Sequence, residues 1–325
     1  MNDSLAIEDV KWDFSRDGDE FILKNAGNLK GCVWKPKIVP PICVLIYVHG
    51  LNSDIGRNAN TLRDFAKRGI VSYAADHPHQ GLSPGTETTI SGIMKEIDCL
   101  IDKAHFEYPN LPIFLYGHSL GGLSVLYWTM ETSKEITKKI NEEKNNEEIP
   151  NLKTRERYNL IKGVIATGPW LATEVLPHPG FFTKLGLKIL SFIPGFGINF
   201  SPKGGSHYDP GFEAANLAYM KGKTKVNHVY PITLLSVFSA QEKIRDYGKD
   251  WPKDKYLLIG QGNIDNFVYA PDNSKFAEDA ILSAGVDKVK FIELDNIGHE
   301  PMKSKAREEW FKDCLDFLYT LSKEK

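Results

Sequence analysis

Residues 112–122 read PIFLYGHSLGG. An apolar, strand-forming run, PIFLY (112–116), passes at once into Gly117, His118, Ser119, Leu120 and Gly121. Gly122 follows, and then LSVLYWTM, which has helical character. A strand that turns through G-x-S-x-G into a helix can hold a serine on a sharp, strained turn from which its hydroxyl projects beyond the sheet. The glycines leave room for strand and helix to approach closely. An ordinary glycine-rich turn is the plain alternative, and the rest of the chain decides between them.

Working outward, ICVLIYV (42–48), IVSYAA (70–75), GVIAT (163–167), KYLLIG (255–260) and VKFIEL (289–294) are continuous apolar runs rather than alternating ones. Continuous runs suit strands buried on both faces. Helical patterns lie between them, at 58–68, about 88–106, 121–131, 273–284 and 304–322. This order predicts an α/β fold, a mostly parallel central sheet flanked by helices. The first thirty-five residues, with EFILK and LKGCVWK, are expected to add an antiparallel edge. Two stretches interrupt the alternation. Residues 132–157, rich in Lys, Glu and Asn, read as a solvated insertion. Residues 172–232 carry prolines, glycines and the run GFFTKLGLKILSFIPGFGINF, and read as a cap over the strand ends. The core is then 1–171 and 233–325.

Composition narrows the function. Apolar residues make up 42% of 325, enough for a substantial core, and 40 basic against 42 acidic residues leave a net charge of −2. That balance gives no electrostatic case for nucleic acid. Cys32, Cys43, Cys99 and Cys314 show no disulfide-like spacing, which points to a reducing compartment. The N-terminal MNDSLAIEDVKWDF lacks the apolar core of a signal peptide, and no run approaches the ~18 apolar residues of a membrane span. The expectation is a soluble cytoplasmic protein, with peripheral membrane contact through the cap.

A serine hydroxyl is a poor nucleophile until a base takes its proton. On folds with such an elbow, the acid and then the histidine follow in chain order, each after a late strand. His299, in DNIGHEPM, lies just beyond the last strand, whereas His207 and His228 fall in the cap. Asp265, in the turn after KYLLIG, is the expected acid. Asp295 is its rival, and Asp272 reads as a helix cap. Two backbone N–H groups should face a developing oxyanion, those of Leu120 and of Leu51 in the loop HGLNSD. His49 reads as a structural residue of that loop. His49 and Asp54 also spell H-x4-D, a short pattern found in acyltransferases. Asp76, His77 and His79 could suggest a metal site, but no second ligand cluster accompanies them, and turn formation around Gly81 and Gly85 is the simpler reading. No metal or cofactor is expected.

These stretches resemble the monoglyceride lipase and lysophospholipase group of α/β-hydrolases. YVHGLNSDIGRNANTLRDFAKRG, AADHPHQGLSPG and YGHSLGGLSVLYW carry the resemblance, and IGQGNIDNF and NIGHEPM match in kind and order. The resemblance implies hydrolysis of a one-chain lipid ester without metal or organic cofactor. It also implies Ser119 as nucleophile, His299 as base, Asp265 as its orienter, and the Leu51 and Leu120 amides as oxyanion donors. The chain departs from the group at Ser53-Asp54, where Glu-His is frequent, and at Gln80, where a histidine is usual.

In the cap, Lys184, Lys188 and Ser191 would form one narrow stripe on a helix, leaving a wide apolar surface. Leu185 and Ile189 are candidate substrate contacts there, and packing against the rest of the cap is the alternative. The expected activity is monoacylglycerol hydrolysis through an acyl-enzyme. A lysophospholipase, a general carboxylesterase, a serine peptidase and a non-catalytic lipid-binding protein are the other readings.

Overall fold

The computed structural model describes residues 11–143, 152–193, 195–199, 208–221, 228–245 and 247–324. The strands, in chain order, are β1 (Asp19–Leu23), β2 (Leu29–Trp34), β3 (Cys43–Val48), β4 (Ile70–Ala75), β5 (Ile113–His118), β6 (Ile161–Thr167), β7 (Ile198–Asn199), β8 (His228–Val229), β9 (Tyr256–Gly262) and β10 (Val289–Leu294). Among the described residues, eight of them form one sheet in the order β1-β2-β4-β3-β5-β6-β9-β10, while β7 and β8 form a separate antiparallel ladder. β1 and β2 are antiparallel to each other, and β2 is antiparallel to β4. All further pairings are parallel. The expected α/β fold with an antiparallel N-terminal edge is therefore present.

The continuous apolar runs are explained by burial on two sides. Val44, Ile46 and Val48 of β3 belong to one core layer, and Cys43, Leu45 and Tyr47 to the other. The first layer is closed by helices α2 (Ile90–Glu107), α3 (Leu120–Glu143), α7 (Pro231–Arg245) and α8 (Ala270–Ala284), the second by α1 (Ala59–Lys67) and α9 (Arg307–Lys323). Each fully buried Leu, Ile or Phe contributes about 1.5–3 kcal/mol, so strands with both faces apolar take the centre of the sheet. β1, with Ile22 exposed, takes the edge. Because β3, β5, β6, β9 and β10 run parallel, their carboxyl ends open on one rim, where ligands bind in open α/β sheets. That rim carries Leu51, Ser119, Gly168, Asp265 and His299.

In the charged stretch the described residues are mostly exposed or half-buried, and they are helical. Residues up to Glu143 continue α3, and α4 (Leu152–Leu160) begins within the stretch; residues 144–151 lie outside the described residues. Arg157 of α4 donates to Asp98 and Asp102 of α2 at 2.7 and 2.8 Å, so part of the charge serves a helix–helix contact. α7 was not anticipated either, although Leu234, Val237, Phe238 and Ile244 recur at helical spacing; it packs in the core through these residues.

Within 172–232 lie α5 (Phe181–Leu190), α6 (Pro210–Met220) and the β7–β8 ladder. Asp209 caps α6 by accepting from the Phe212 N–H at 3.0 Å. α6 is tied to the rim from several sides. Tyr219 donates to Asp54 at 2.8 Å, Arg57 donates to Asn216 at 2.9 Å, and the Trp12 ring meets Phe212 edge-on at 4.9 Å. α5 is held to α7 by the Lys184–Glu242 ion pair.

Two glycines separate architectural need from helix propensity. A Cβ on Gly121 would lie 1.9 Å from the Val48 carbonyl oxygen, whereas one on Gly186 meets nothing within 4 Å. In urea denaturation Gly121→Ala should cost at least the upper end of the ~1–3 kcal/mol typical of overpacking. Gly186→Ala, in the middle of α5, should gain up to about 1 kcal/mol. Equal effects would contradict this packing.

Candidate active site

Ser119 stands at φ +55°, in the left-handed region that side chains rarely adopt. Its neighbours hold it there. The Ser119 N–H donates to the Thr167 carbonyl at 3.0 Å, and its own carbonyl accepts from Leu123 and Trp170 at 2.9 and 3.0 Å. Two close approaches to α3 require glycine: a Cβ on Gly117 of β5 would lie 2.1 Å from the Gly121 carbonyl, and one on Gly121 meets Val48 of β3 as above. Leu120 is the first residue of α3, where the backbone N–H has no partner within the helix.

The loop after β3 comes to this serine. A Cβ on Gly50 would be 3.1 Å from the Ser119 Cβ, so the loop lies tightly against the serine. Leu51 follows, half-buried, and forms part of the wall of a cavity of about 660 Å³ with Arg16, Asp54, Gln80, Tyr219 and Tyr230. The loop's H-x4-D pair is not made. His49 Nε2 accepts from the His77 N–H at 3.2 Å, while Asp54 accepts from the Arg57 N–H and Tyr219. Asp76 takes the N–H groups of Ile55 and Leu82 at 2.9 and 2.7 Å and the Arg16 guanidinium at 2.6 Å, which makes it an organiser of turns. His79 Nδ1 lies 3.0 Å from the Gly85 carbonyl, within the same turn.

His299 lies beyond β10 and is buried. Its ring packs 4.8 Å from both His118 and Phe267, and a Cβ on Gly168 would lie 3.2 Å from its Nδ1. Nδ1 is 2.8 Å from Asp265 Oδ2. Asp265 is held by the Phe267 and Val268 N–H groups on Oδ1, at 2.9 and 3.1 Å, and by Gln261 on Oδ2 at 3.2 Å. Asp295, the rival acid, is exposed and accepts from Asn263 and Asn296 instead. With Nδ1–H given to Asp265, Nε2 carries the lone pair, and it is buried without a hydrogen-bond partner. Burial works to raise the Asp265 pKa, but the His299 charge and the two backbone N–H groups outweigh it and hold the carboxyl below its ordinary value. Burial works to lower the pKa of His299, and Asp265 outweighs it, so this imidazole is a stronger base than usual.

A second polar cluster adjoins the histidine and was missed by the sequence reading. Glu300 pairs with Lys303, approaches Arg57 at 3.7 Å and His118 Nε2 at 3.6 Å, and accepts from Tyr208 at 3.2 Å. Burial brings the Lys303 pKa down to about 8 and that of His118 to about 3, leaving His118 neutral beside His299. The signal was present in HEPMK, where an acid and a base sit three residues apart directly after His299. Leu185 and Ile189, the expected substrate contacts, are 40% and 60% exposed on α5 and are absent from the wall of the cavity beside Leu51.

Residues 40–141 match the family model described as serine aminopeptidase, S33. An uncharacterized abhydrolase domain-containing protein of Dictyostelium discoideum is 32% identical over 88% of this chain, which spans 27% of that protein. Human monoglyceride lipase is 30% identical over 27% of this chain and 30% of its own length. The chain thus spans about a third or less of these curated relatives. The crystal structure of the monoacylglycerol lipase of Paleococcus ferrophilus superposes with a TM-score of 0.68 and 22% identity, covering 90% of this chain and 99% of that one. The chain has the α/β-hydrolase fold, with an elbow serine and a histidine–aspartate pair on its rim, and it resembles the monoglyceride lipases.

Proposed function

We propose that this chain is a serine hydrolase that cleaves carboxylic esters through an acyl-enzyme, with a monoacylglycerol as substrate. The observation that carries the reading is His299, buried, bound through Nδ1 to a buried carboxylate and left with an unpartnered Nε2 on the rim that presents Ser119. Ser119 Oγ attacks the ester carbonyl while His299 Nε2 takes its proton. Asp265 stabilises the imidazolium that forms. The negative charge on the carbonyl oxygen is met by the Leu51 and Leu120 N–H groups. Collapse expels the glycerol oxygen, which recovers the proton from His299. Water, deprotonated by the same nitrogen, then releases the fatty acid.

Two features favour an uncharged, one-chain lipid ester. Among the described residues, the cavity beside Leu51 is lined by one guanidinium, Arg16, which Asp76 engages at 2.6 Å with Asp54 4.0 Å away. Paired in this way Arg16 offers no surplus charge to a phosphate, which supports a glycerol head over a lysophospholipid. On α5 and just beyond it, Phe181, Phe182, Ile189 and Phe192 are 72%, 84%, 60% and 78% exposed. Such a surface supports peripheral contact with a lipid layer, where each buried CH₂ contributes about 0.8 kcal/mol.

Ser119→Ala should abolish hydrolysis of monoacylglycerols with an unchanged melting temperature. In a substrate panel, monoacylglycerols should be cleaved with higher kcat/KM than lysophospholipids, short esters or aminoacyl amides. A preference for the amides would overturn the ester reading.

Activity requires neutral His299, so kcat/KM should fall as pH drops through a pKa above the ordinary 6.5 of histidine. Asp265→Asn removes the charge that raises this value. It should lower kcat by about 10⁴-fold and move the acid limb to lower pH. Asp295→Asn should do neither. The reverse ranking in a pH–rate profile would place the acid on the wrong loop.

Replacing Phe182, Leu185 and Ile189 together by serine should weaken co-sedimentation with liposomes and raise KM for long-chain monoesters. A short soluble ester should be unaffected. Equal losses on both esters with a lowered melting temperature would show that the patch serves packing alone.

A further inference from the structure

The wall behind the Leu51 loop holds three fully buried polar side chains that the proposed reaction does not use: His49, His77 and Glu96 of α2. Their geometry forms a chain that ends on one peptide group. His49 Nδ1 lies 2.8 Å from the Gly50 carbonyl oxygen. Its Nε2 accepts from the His77 backbone N–H at 3.2 Å, so the proton sits on Nδ1 and is donated to Gly50. The His77 ring stacks on that of His49 with centroids 3.7 Å apart. Its Nε2 faces the His49 carbonyl oxygen at 2.8 Å, and its Nδ1 faces Glu96 Oε2 at 2.7 Å.

The Gly50 carbonyl and the Leu51 N–H belong to one planar trans peptide and point in opposite directions. Whatever holds the carbonyl therefore aims the N–H. We infer that Glu96 is a positioning residue for the Leu51 N–H, acting through the rings of His77 and His49. The inference rests on the reading of that N–H as half of the oxyanion site.

The ring of His77 is the decisive link. A carbonyl oxygen can only accept, so the His77 nitrogen facing His49 carries a proton. Glu96 holds the other nitrogen, either as a carboxylate beside an imidazolium or as a carboxylic acid that donates to Nδ1. Without the carboxyl, Nδ1 has no partner and the ring is fixed through Nε2 alone, so its stack on His49 loosens. Burial and the neighbouring His77 hold the His49 pKa well below its ordinary value, which keeps His49 neutral and its Nε2 able to accept.

Glu96→Met keeps the volume and removes both the donor and the acceptor. With a short soluble ester, it should lower kcat by about 10–100-fold, less than the ~10²–10³ of losing an oxyanion donor outright. KM should change by less than threefold and the melting temperature by little. Glu96→Gln can donate its amide to Nδ1 and should restore kcat to within about threefold of wild type. A boronic acid, which forms a tetrahedral adduct on the serine, should bind Glu96→Met more weakly by the factor lost in kcat. The His77 Nε2–H signal should exchange with water faster in Glu96→Met and at the wild-type rate in Glu96→Gln. If exchange does not quicken, the link through Glu96 is wrong. If it quickens while kcat and boronate affinity stay at wild type, the Leu51 N–H is not an oxyanion donor, although Ser119, His299 and Asp265 would keep their roles. If both variants lose kcat and melting temperature together, Glu96 is a packing residue only. Should Glu96→Met not fold, Glu96→Asp, one methylene shorter, serves with the same expectation for kcat.

Discussion

The rim is organised around one strained residue. Ser119 keeps φ at +55° although it carries a side chain, and such a conformation persists only where its surroundings over-determine it. Gly117 removes the side chain that would separate β5 from α3, Gly121 the one that would separate α3 from the end of β3, and Gly50 brings the loop after β3 close to Ser119. Three backbone hydrogen bonds, to Thr167, Leu123 and Trp170, then close on the elbow. Strand order completes the arrangement. Six parallel strands, β4 among them, deliver their loops to the same rim, which brings residues as far apart in sequence as Leu51 and His299 to the sheet edge that carries Ser119.

Two buried histidine–carboxylate pairs lie beyond the strands of that rim, and the partner of Nε2 separates their roles. In His299–Asp265, Nδ1 is bound and Nε2 is without a partner, which suits a base. In His77–Glu96, Nδ1 is bound as well, but Nε2 is committed to the His49 carbonyl, which suits a brace. The residue type and burial are the same in both. A third histidine, His118, is kept neutral by burial and so adds no charge to oppose protonation of His299.

The parts legible in the sequence are those whose causes are local. Continuous apolar runs announced the central parallel strands because β3, β4 and β5 are buried along their whole length. The elbow was legible because its steric demand falls on residues one or two positions from the serine. Parts with distant partners were not. α4 looked like solvated charge because Asp98 and Asp102, which meet its Arg157, lie more than fifty residues earlier. Glu96 did leave a trace: it occupies the stripe Ile93, Ile97 and Leu100, where an ordinary helix buries only apolar groups. Its partner, nineteen residues away, shows no local pattern. The cap followed composition only in part. Its apolar run does form a helix, but that helix turns Leu185 and Ile189 outward, since α7 already covers the core beneath it.

The central claim is that His299 and Asp265 make Ser119, and no other serine, a nucleophile. Site mapping of a fluorophosphonate adduct by peptide mass spectrometry tests it most directly. The account predicts a single adduct, on Ser119, which is absent from Ser119→Ala and forms far more slowly in His299→Ala. An adduct on another serine, or labelling that survives in Ser119→Ala, would contradict it.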